Sequence, residues 1–307
     1  MQVALIGAGL IGASWAALMA FHGHDIAIFD PSPTAEDDTK NVIQSAWPDL
    51  EKLHETTRPI HCEKITFHTS LETACQNAEW VQENTPDRLE VKHQILSEIE
   101  NFLGSDVPIA SSTTALMPSA IQRNMQHPER FFVAHPLNPP HLIPLVELVA
   151  GALTDERKLK EARAFYEDLS KTLIVAKKER IGHIANRLNA ALYREAVYLV
   201  SEGIASIKDV DLALSEGAGP RLAAMGPHLI YHLGGGERGY ASYLDHLGPA
   251  QENRWADLGS PTLNTETKHR LIEEFQIAYP DQKPQVLRQK RDQLLLDFLK
   301  AKNKFKS

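Results

Sequence analysis

The chain has 307 residues, a length that predicts about two domains, and its 43% hydrophobic and 23% charged residues exclude a disordered or low-complexity protein. The formal net charge of −8 offers no basic field to a phosphate backbone, so we expect no nucleic-acid partner. Two cysteines, Cys62 and Cys75, are too few for a disulfide scaffold and lack the spacing of a metal site. We therefore expect a reducing, cytoplasmic location.

The first apolar segment, residues 3–21, contains no charge and is long enough to suggest a membrane span or a signal peptide. No Lys or Arg precedes it, and its three glycines, Gly7, Gly9 and Gly12, lie together near its start. A buried strand followed by a buried helix accounts better for this arrangement. We expect no membrane partner.

Short apolar runs in the first half of the chain predict strands that are buried on both faces of a sheet. These runs are residues 3–6, 26–29, 80–81, 109–110 and 131–134. Helical periodicity lies between them, for example over residues 87–103, where Gly104 is positioned as the residue that ends the helix. The alternation predicts a doubly wound parallel sheet over about the first 180 residues.

Strand patterns disappear after Gly182. Apolar residues at helical spacing predict a long helix that ends at Gly203, and Ser206 with Asp209 predicts the start of the next helix. Two further helices are expected at about 264–279 and 283–302. We therefore predict an α/β domain over residues 1–181 and an all-helical domain over residues 182–307.

A glycine-rich motif, Gly7-Ala8-Gly9-Leu10-Ile11-Gly12, directly follows the first predicted strand and opens a helix. In that context the first glycine permits a tight turn, the second lets a pyrophosphate approach the backbone, and the third packs the helix on the strand. The helix N-terminus supplies free N–H groups to the phosphates. The motif predicts a dinucleotide-binding Rossmann domain with cofactor contacts at Gly7, Gly9, Leu10, Ile11 and Gly12.

Asp30 follows the second predicted strand, 18 residues after the last glycine of the motif. A carboxylate at about this distance accepts hydrogen bonds from the ribose hydroxyls and repels a 2′-phosphate. The next residues, Pro31-Ser32-Pro33, provide no compensating cation. We expect NAD rather than NADP as the cofactor.

Three further segments carry a family resemblance: Ser111 to Leu116, Ala134 through Leu148, and Ala185 to Leu188. The second contains an H-P-x-N-P run with a Glu twelve residues after the His. On these residues the chain resembles the L-3-hydroxyacyl-CoA dehydrogenase family over nearly its whole length. It is most similar to the small-substrate branch, which oxidises carnitine-type and gulonate-type hydroxy acids.

The resemblance implies a catalytic set of four residues. Oxidation of a secondary alcohol with NAD requires a base for the hydroxyl proton, and an imidazole is suited to that task. His135 matches the family's base, and Glu147 matches the carboxylate that orients its ring and stabilises the imidazolium. Thr114, where the family usually has Ser, and Asn186 match the residues that hydrogen-bond the reacting oxygen. Because Asn186 belongs to the second predicted domain, a cleft between domains is expected.

Further contacts are implied in the same way. The resemblance assigns cofactor contacts to Asp87 and Lys92, substrate contacts to Ser112 and Asn138, and a homodimer to the chain. Arg221 lies in a Gly-Pro-Arg turn where the small-acid branch also has an Arg. Its guanidinium is expected to bind the substrate carboxylate through two hydrogen bonds, the alternative being solvent exposure or a pair with Glu216.

Two departures from the family pattern concern the second predicted domain. His183 stands where the family usually has Phe, which is expected to affect packing more than chemistry. Carnitine enzymes carry aromatic residues after the turn Arg, and this chain does not. A quaternary ammonium prefers an aromatic face, and Tyr231, Tyr243 or Trp255 could supply one here.

The expected function is an NAD-dependent dehydrogenase of a small L-3-hydroxy carboxylate. A 3-hydroxyacyl-CoA dehydrogenase is the alternative, disfavoured because the segment after Asp30 carries three acids, Glu36, Asp37 and Asp38, with only Lys40 nearby to meet CoA phosphates. A crystallin-like structural protein or a silent NAD sensor is disfavoured by the His135 and Glu147 pair. No metal is expected, because the prolines between His135 and His141 prevent a helix from presenting both.

Overall fold

The computed structural model describes residues 1–305, and it divides into two compact units. The first unit contains residues 1–187 together with 292–300. The second contains residues 188–291 and the chain from Ala301 onwards. We call them the nucleotide unit and the helical unit.

The nucleotide unit is built on one eight-stranded sheet with the strand order β3-β2-β1-β4-β5-β6-β7-β8. Its strands are β1 (Gln2–Ile6), β2 (Asp25–Phe29), β3 (Ile65–His68), β4 (Trp80–Glu83), β5 (Ile109–Ser111), β6 (Phe131–Pro136), β7 (Leu145–Ala150) and β8 (Thr172–Ala176). The five strands predicted from apolar runs are confirmed. Every neighbouring pair is parallel except β6 with β7, which is antiparallel.

Helices cover this sheet on both faces. They are α1 (Leu10–Phe21), α2 (Ala35–His54), α3 (Leu71–Cys75), α4 (Leu89–Glu100), α5 (Pro118–Gln122) and α6 (Glu156–Asp168). Along β1, Val3 and Leu5 pack in one hydrophobic cluster, whereas Ala4 and Ile6 pack in another. Alternate strand residues point to opposite faces, so the two clusters lie on the two sides of the sheet. This explains the uninterrupted apolar character of β1.

The prediction for residues 87–103 was wrong at its end. Helix α4 stops at Glu100, Asn101 is its C-cap, and Gly104 is not among the positive-φ glycines that end helices here. Its buried face includes Lys92 and Glu100. Both charges are paired inside the protein, so the buried face could not be read from apolar residues alone.

The described residues of the helical unit contain no strand. Helix α7 (Ala185–Ser201) begins in the nucleotide unit and is followed by α8 (Ile207–Leu212), a π-helical segment (Ala213–Ala218), α9 (Gly219–Ala224), α10 (Pro227–Gly234), α11 (Gly239–Asp257), α12 (Thr265–Ala278) and α13 (Pro284–Asn303). The predicted helix end at Gly203, with φ of 71°, and the Ser206 cap on the Asp209 N–H are confirmed. Over residues 1–305, no helix combines the length and apolar character that crossing a membrane requires.

Candidate active site

The glycine-rich loop has the geometry that a dinucleotide needs. Gly7 adopts a φ of 90°, and a Cβ on Gly12 would collide with the carbonyl oxygen of Gly7. Gly9, by contrast, has open space where its Cβ would be, and no side chain caps the start of α1. The backbone at Gly9 and the helix N-terminus are thus free to meet a pyrophosphate.

Asp30 lies beside this loop at the end of β2. Its carboxylate accepts a hydrogen bond from the Ala8 N–H at 2.7 Å and another from the Ser32 N–H at 2.8 Å. The nearest lysine in the sequence, Lys40, pairs with Glu36. The site fits ribose hydroxyls, which donate to a carboxylate, better than a 2′-phosphate, which is repelled by one.

His135 and Glu147 lie side by side on the neighbouring strands β6 and β7. The antiparallel register of β6 and β7 places them directly opposite, and His135 Nδ1 lies 2.7 Å from Glu147 Oε2. Both side chains are buried, at 3% and 0% exposure. With Nδ1 bonded to the carboxylate, Nε2 is the ring nitrogen left to exchange a proton with a substrate.

The second oxygen of Glu147 is bound to the start of α7. Glu147 Oε1 accepts the backbone N–H groups of Ile184 and Ala185, each at 2.9 Å. Burial alone would raise the pKa of Glu147, but hydrogen bonds from His135, Ala185 and Ile184 outweigh burial and lower it. The carboxylate is therefore ionised and can stabilise a protonated His135.

Thr114, Asp87 and Asn186 form a second group. Thr114 donates to Asp87 Oδ2 from its hydroxyl at 2.5 Å and from its N–H at 2.8 Å. Asn186 Nδ2 donates to the Thr114 carbonyl at 3.2 Å. Burial opposes ionisation of Asp87, but bonds from Thr113 and Thr114 dominate and lower its pKa. All of these residues belong to the nucleotide unit.

His183 connects the two groups. Its ring centroid lies 5.2 Å from that of His135, and its Nε2 lies 3.1 Å from the Thr113 carbonyl oxygen. Burial lowers the pKa of His183, which favours a neutral ring beside His135. The structure thus brings the four sequence-predicted catalytic residues into one neighbourhood.

The two residues predicted to contact the substrate, Ser112 and Asn138, have different environments. Ser112 is buried, and its hydroxyl bonds Trp15 at 3.2 Å, Gln82 at 2.9 Å and Asn84 at 2.7 Å. The hydrogen-bonding capacity of the Ser112 hydroxyl is thus satisfied by other side chains of the protein. Asn138 is exposed in the loop after β6 and precedes a cis peptide bond to Pro139.

Lys92 has a buried environment that its sequence position did not indicate. Its ammonium is fully buried and donates to both oxygens of Glu83 at 2.9 Å and to the Thr85 carbonyl at 3.1 Å. Glu83 also accepts from Ser111 and from the Thr85 hydroxyl, each at 2.5 Å. Sequence reasoning missed Glu83, although a lone carboxylate at the end of a strand buried on both faces was a detectable signal.

The loop between β6 and β7 is fixed by residues that sequence reasoning also missed. The Lys171 ammonium donates to the carbonyls of Pro140 and Ile143, and burial lowers the pKa of Lys171 to about 7. The Ser14 hydroxyl lies 2.8 Å from His141 Nδ1 and accepts the His141 N–H at 3.0 Å. Because Ser14 is on α1, this loop is fastened to the helix that follows the glycine motif.

Arg221 lies in α9 of the helical unit and is exposed. Among the residues that the structure describes, it forms no ion pair with Glu216 or another acid.

Family models match both parts of the chain. The 3-hydroxyacyl-CoA dehydrogenase NAD-binding domain matches residues 2–180, and the C-terminal domain of the same family matches residues 182–271. The chain belongs to the 3-hydroxyacyl-CoA dehydrogenase family. With the glycine loop and Asp30 in place, it is an NAD-dependent oxidoreductase.

Similar proteins agree with this assignment. L-carnitine dehydrogenase of Oceanobacillus iheyensis is 39% identical over 97% of both chains, and that of Bacillus cereus is 37% identical over 99% of this chain and 93% of the relative. Among solved structures, 5-formyl-3-hydroxy-2-methylpyridine 4-carboxylic acid 5-dehydrogenase, described as an NAD⁺-dependent dismutase, matches with a TM-score of 0.83 and 26% identity over 98% of both chains.

Proposed function

We propose that this protein oxidises the 3-hydroxyl of a small L-3-hydroxy carboxylate of the carnitine type to the 3-keto acid, with NAD as acceptor. The observation that carries the proposal is the buried His135–Glu147 pair, with Glu147 held by the first amides of α7. Full-length similarity to proteins named L-carnitine dehydrogenase supports the substrate class.

In this mechanism His135 Nε2 accepts the proton of the substrate hydroxyl. Glu147 keeps the imidazole in the tautomer with its proton on Nδ1 and stabilises the charge that His135 acquires. Asn186 hydrogen-bonds the reacting oxygen through the second N–H of its amide as negative charge grows there, and Thr114 does so when its hydroxyl turns from Asp87 Oδ2 to the substrate. NAD⁺, held by the glycine loop and Asp30, would supply the acceptor for the hydride that leaves the C3 carbon of the substrate.

The nucleotide unit would hold the cofactor through its glycine loop. Leu10 and Ile11 supply backbone N–H groups at the start of α1, and Asp30 receives the ribose hydroxyls. Asp87 and Lys92 stay as predicted cofactor contacts. Because the Lys92 ammonium is buried against Glu83, it would act on the cofactor through that carboxylate.

We further propose that residues 1–181 form the NAD-binding domain and residues 182–307 the substrate-binding and dimerisation domain. Arg221 would bind the substrate carboxylate with a bidentate pair of hydrogen bonds, and its lack of an acidic partner among the described residues supports this role. Ser112 and Asn138 stay as predicted substrate contacts, of which exposed Asn138 is the better placed.

The dimer proposal rests on apolar side chains that the helical unit leaves exposed, including Ile272, Phe275 and Ile277. Clustered exposed apolar side chains are typical of surfaces that meet another protein. We also propose a cytoplasmic location, supported by Cys62 and Cys75, which are both free thiols.

The function is tested by measuring NADH absorbance with purified protein and four substrates: L-carnitine, L-gulonate, 3-hydroxybutyrate and 3-hydroxybutyryl-CoA. We expect the highest kcat/KM with a free hydroxy acid, and L-carnitine above the others. Faster turnover of the acyl-CoA than of every free acid would replace the proposal with a 3-hydroxyacyl-CoA dehydrogenase. Absence of turnover with all four would favour a structural or NAD-sensing protein.

A further inference from the structure

The helical unit contains a pocket of about 490 Å³ between α10 and α11, lined by His228, Tyr231, Tyr240, Tyr243 and Trp255. We call it the aromatic pocket. Its volume falls within the range of about 300–1,000 Å³ that small-molecule sites occupy. No residue of the nucleotide unit lines it.

Glycines between the two helices explain why the aromatic side chains meet. A Cβ on Gly235 would collide with the carbonyl oxygen of Gly239. Gly239 itself has a φ of 64°, and a Cβ there would lie 2.5 Å from the His232 ring. The chain therefore reverses tightly between α10 and α11, which pack closely and bring Tyr231 against Tyr243.

The rings are fixed by stacking. Tyr231 and Tyr243 lie with centroids 4.6 Å apart and planes at 20°, and Tyr240 is nearly parallel to Tyr243, at 3° and 6.2 Å. His228 stands at 89° to Tyr240, with its Nδ1 2.8 Å from the Tyr240 hydroxyl. Tyr243 is buried, whereas Tyr231 is 40% and Trp255 61% exposed. A fixed aromatic wall with exposed outer members is thus available to a ligand.

The charged side chains that line the pocket favour a positively charged ligand. Asp245 and Glu252 are in the lining, which contains no Lys or Arg. Aromatic faces carry the negative side of the ring quadrupole, so rings and carboxylates attract the same sign of charge.

The apolar character of the walls decides which cation fits. A primary ammonium has three N–H donors and loses their hydrogen bonds to water on entering an aromatic site, unless acceptors replace them. A quaternary ammonium has no N–H donor, and its methyl groups can contact ring faces directly. Sites of this composition are the ordinary receptors for such groups.

We propose that the aromatic pocket binds a quaternary ammonium head group. Binding of the head group itself does not depend on the proposed function, but its assignment to a carnitine-type substrate does. The two sources of this chemistry are the substrate under oxidation and a second, separately bound ammonium compound.

The first experiment measures binding directly, by intrinsic fluorescence of the full-length protein titrated with tetramethylammonium chloride. Trp255 reports on the pocket because the other three tryptophans, Trp15, Trp47 and Trp80, are buried in the nucleotide unit. We expect a saturable change that sodium chloride at equal ionic strength does not reproduce, and that Trp255→Phe removes.

Variants and a neutral probe make this test specific. Tyr231→Leu should weaken binding about three- to thirtyfold, which is the range of a cation–π contact, while Tyr231→Phe keeps the ring and should retain it. Asp245→Asn should weaken binding less. An absent response, or an equal response to choline and to its uncharged isostere 3,3-dimethylbutan-1-ol, would overturn the proposal.

The second experiment distinguishes the sources. If the pocket receives the substrate, Tyr231→Leu lowers the ratio of kcat/KM for L-carnitine to that for 3-hydroxybutyrate. If a separate ammonium compound occupies it, tetramethylammonium binding is weakened with that ratio unchanged. Failure of the proposed function has a different signature, because wild-type protein would then bind tetramethylammonium without oxidising L-carnitine.

Discussion

The two units differ in how they treat apolar and charged side chains. The nucleotide unit buries its apolar residues on both sides of the sheet and also encloses whole ion pairs, such as Lys92 with Glu83 and Arg130 with Glu100. The helical unit exposes more of its large apolar side chains, for example Ile277 at 76%. A rigid interior suits proton transfer at fixed distances, while exposed apolar surface suits recognition and association.

The largest effect should come from breaking the enclosed pair in the nucleotide unit. Lys92→Met leaves the fully buried Glu83 carboxylate without its cation, which costs about 3–5 kcal/mol of unfolding free energy. Urea unfolding measures this. The control is Lys40→Met, which breaks an exposed pair with Glu36 and should lower the unfolding free energy far less. Equal losses in the two variants would show that the interior is not rigid around Glu83.

Acid should destabilise the nucleotide unit through histidines that are buried neutral. Burial and then His54 lower the pKa of His22 from 6.5 to about 4. Between these values the unfolded chain binds a proton that the folded chain does not, so stability is lost as pH falls from 6.5 to 4. His22 contributes to that loss, by less than the full shift in its pKa implies, because its ring is partly exposed and solvent screens the charge.

Urea unfolding at pH 7 and pH 4 checks this prediction. His22→Leu should flatten the acid loss, whereas His269→Gln, which removes an exposed imidazole of the helical unit, should not. An unchanged slope in His22→Leu would contradict the assignment.

The exposed apolar surface of the helical unit should be sensitive to charge. Phe275→Asp, on α12, is expected to weaken self-association about thirtyfold or more, because a carboxylate in an apolar interface loses its water. Sedimentation equilibrium provides the measurement. Leu153→Asp, at a similarly exposed position of the nucleotide unit, serves as the control. A wild-type monomer at all concentrations would refute the dimer.

A smaller effect is expected at Arg221. Arg221→Lys keeps the charge but loses the bidentate hydrogen bonding to a carboxylate. We therefore expect KM for the best free acid to rise about tenfold with kcat nearly preserved. Steady-state kinetics with that substrate decide the matter. An unchanged KM would mean that Arg221 faces solvent.

Much of the nucleotide unit could be predicted because its central strands are continuous apolar runs. Three strands were not predicted from the sequence, and each has a physical reason. β3 and β8 lie at the two edges of the sheet and are only partly buried, and β7 contains Glu147 in the middle of its apolar run. A carboxylate within an apolar run argues against a buried strand unless the residue that pairs with the carboxylate is known.

The candidate site likewise has parts that the sequence predicts and parts that it does not. The glycine motif and the His135 segment are local patterns, so the sequence alone pointed to both. Contacts between distant residues were invisible, as for Ser14 with His141, which are 127 residues apart, and Lys171 with the Pro140 carbonyl. The pairing of Glu147 with the α7 amides also required the fold.

The central claim is that His135 takes the substrate proton in the nucleotide unit without contributing to cofactor affinity. The most direct measurement compares wild-type protein and His135→Gln for kcat with L-carnitine and for Kd of NADH, the latter by fluorescence titration. We predict a fall in kcat of about 10²–10⁴-fold with an NADH Kd within about twofold of wild type. A near-wild-type kcat in His135→Gln would contradict the account.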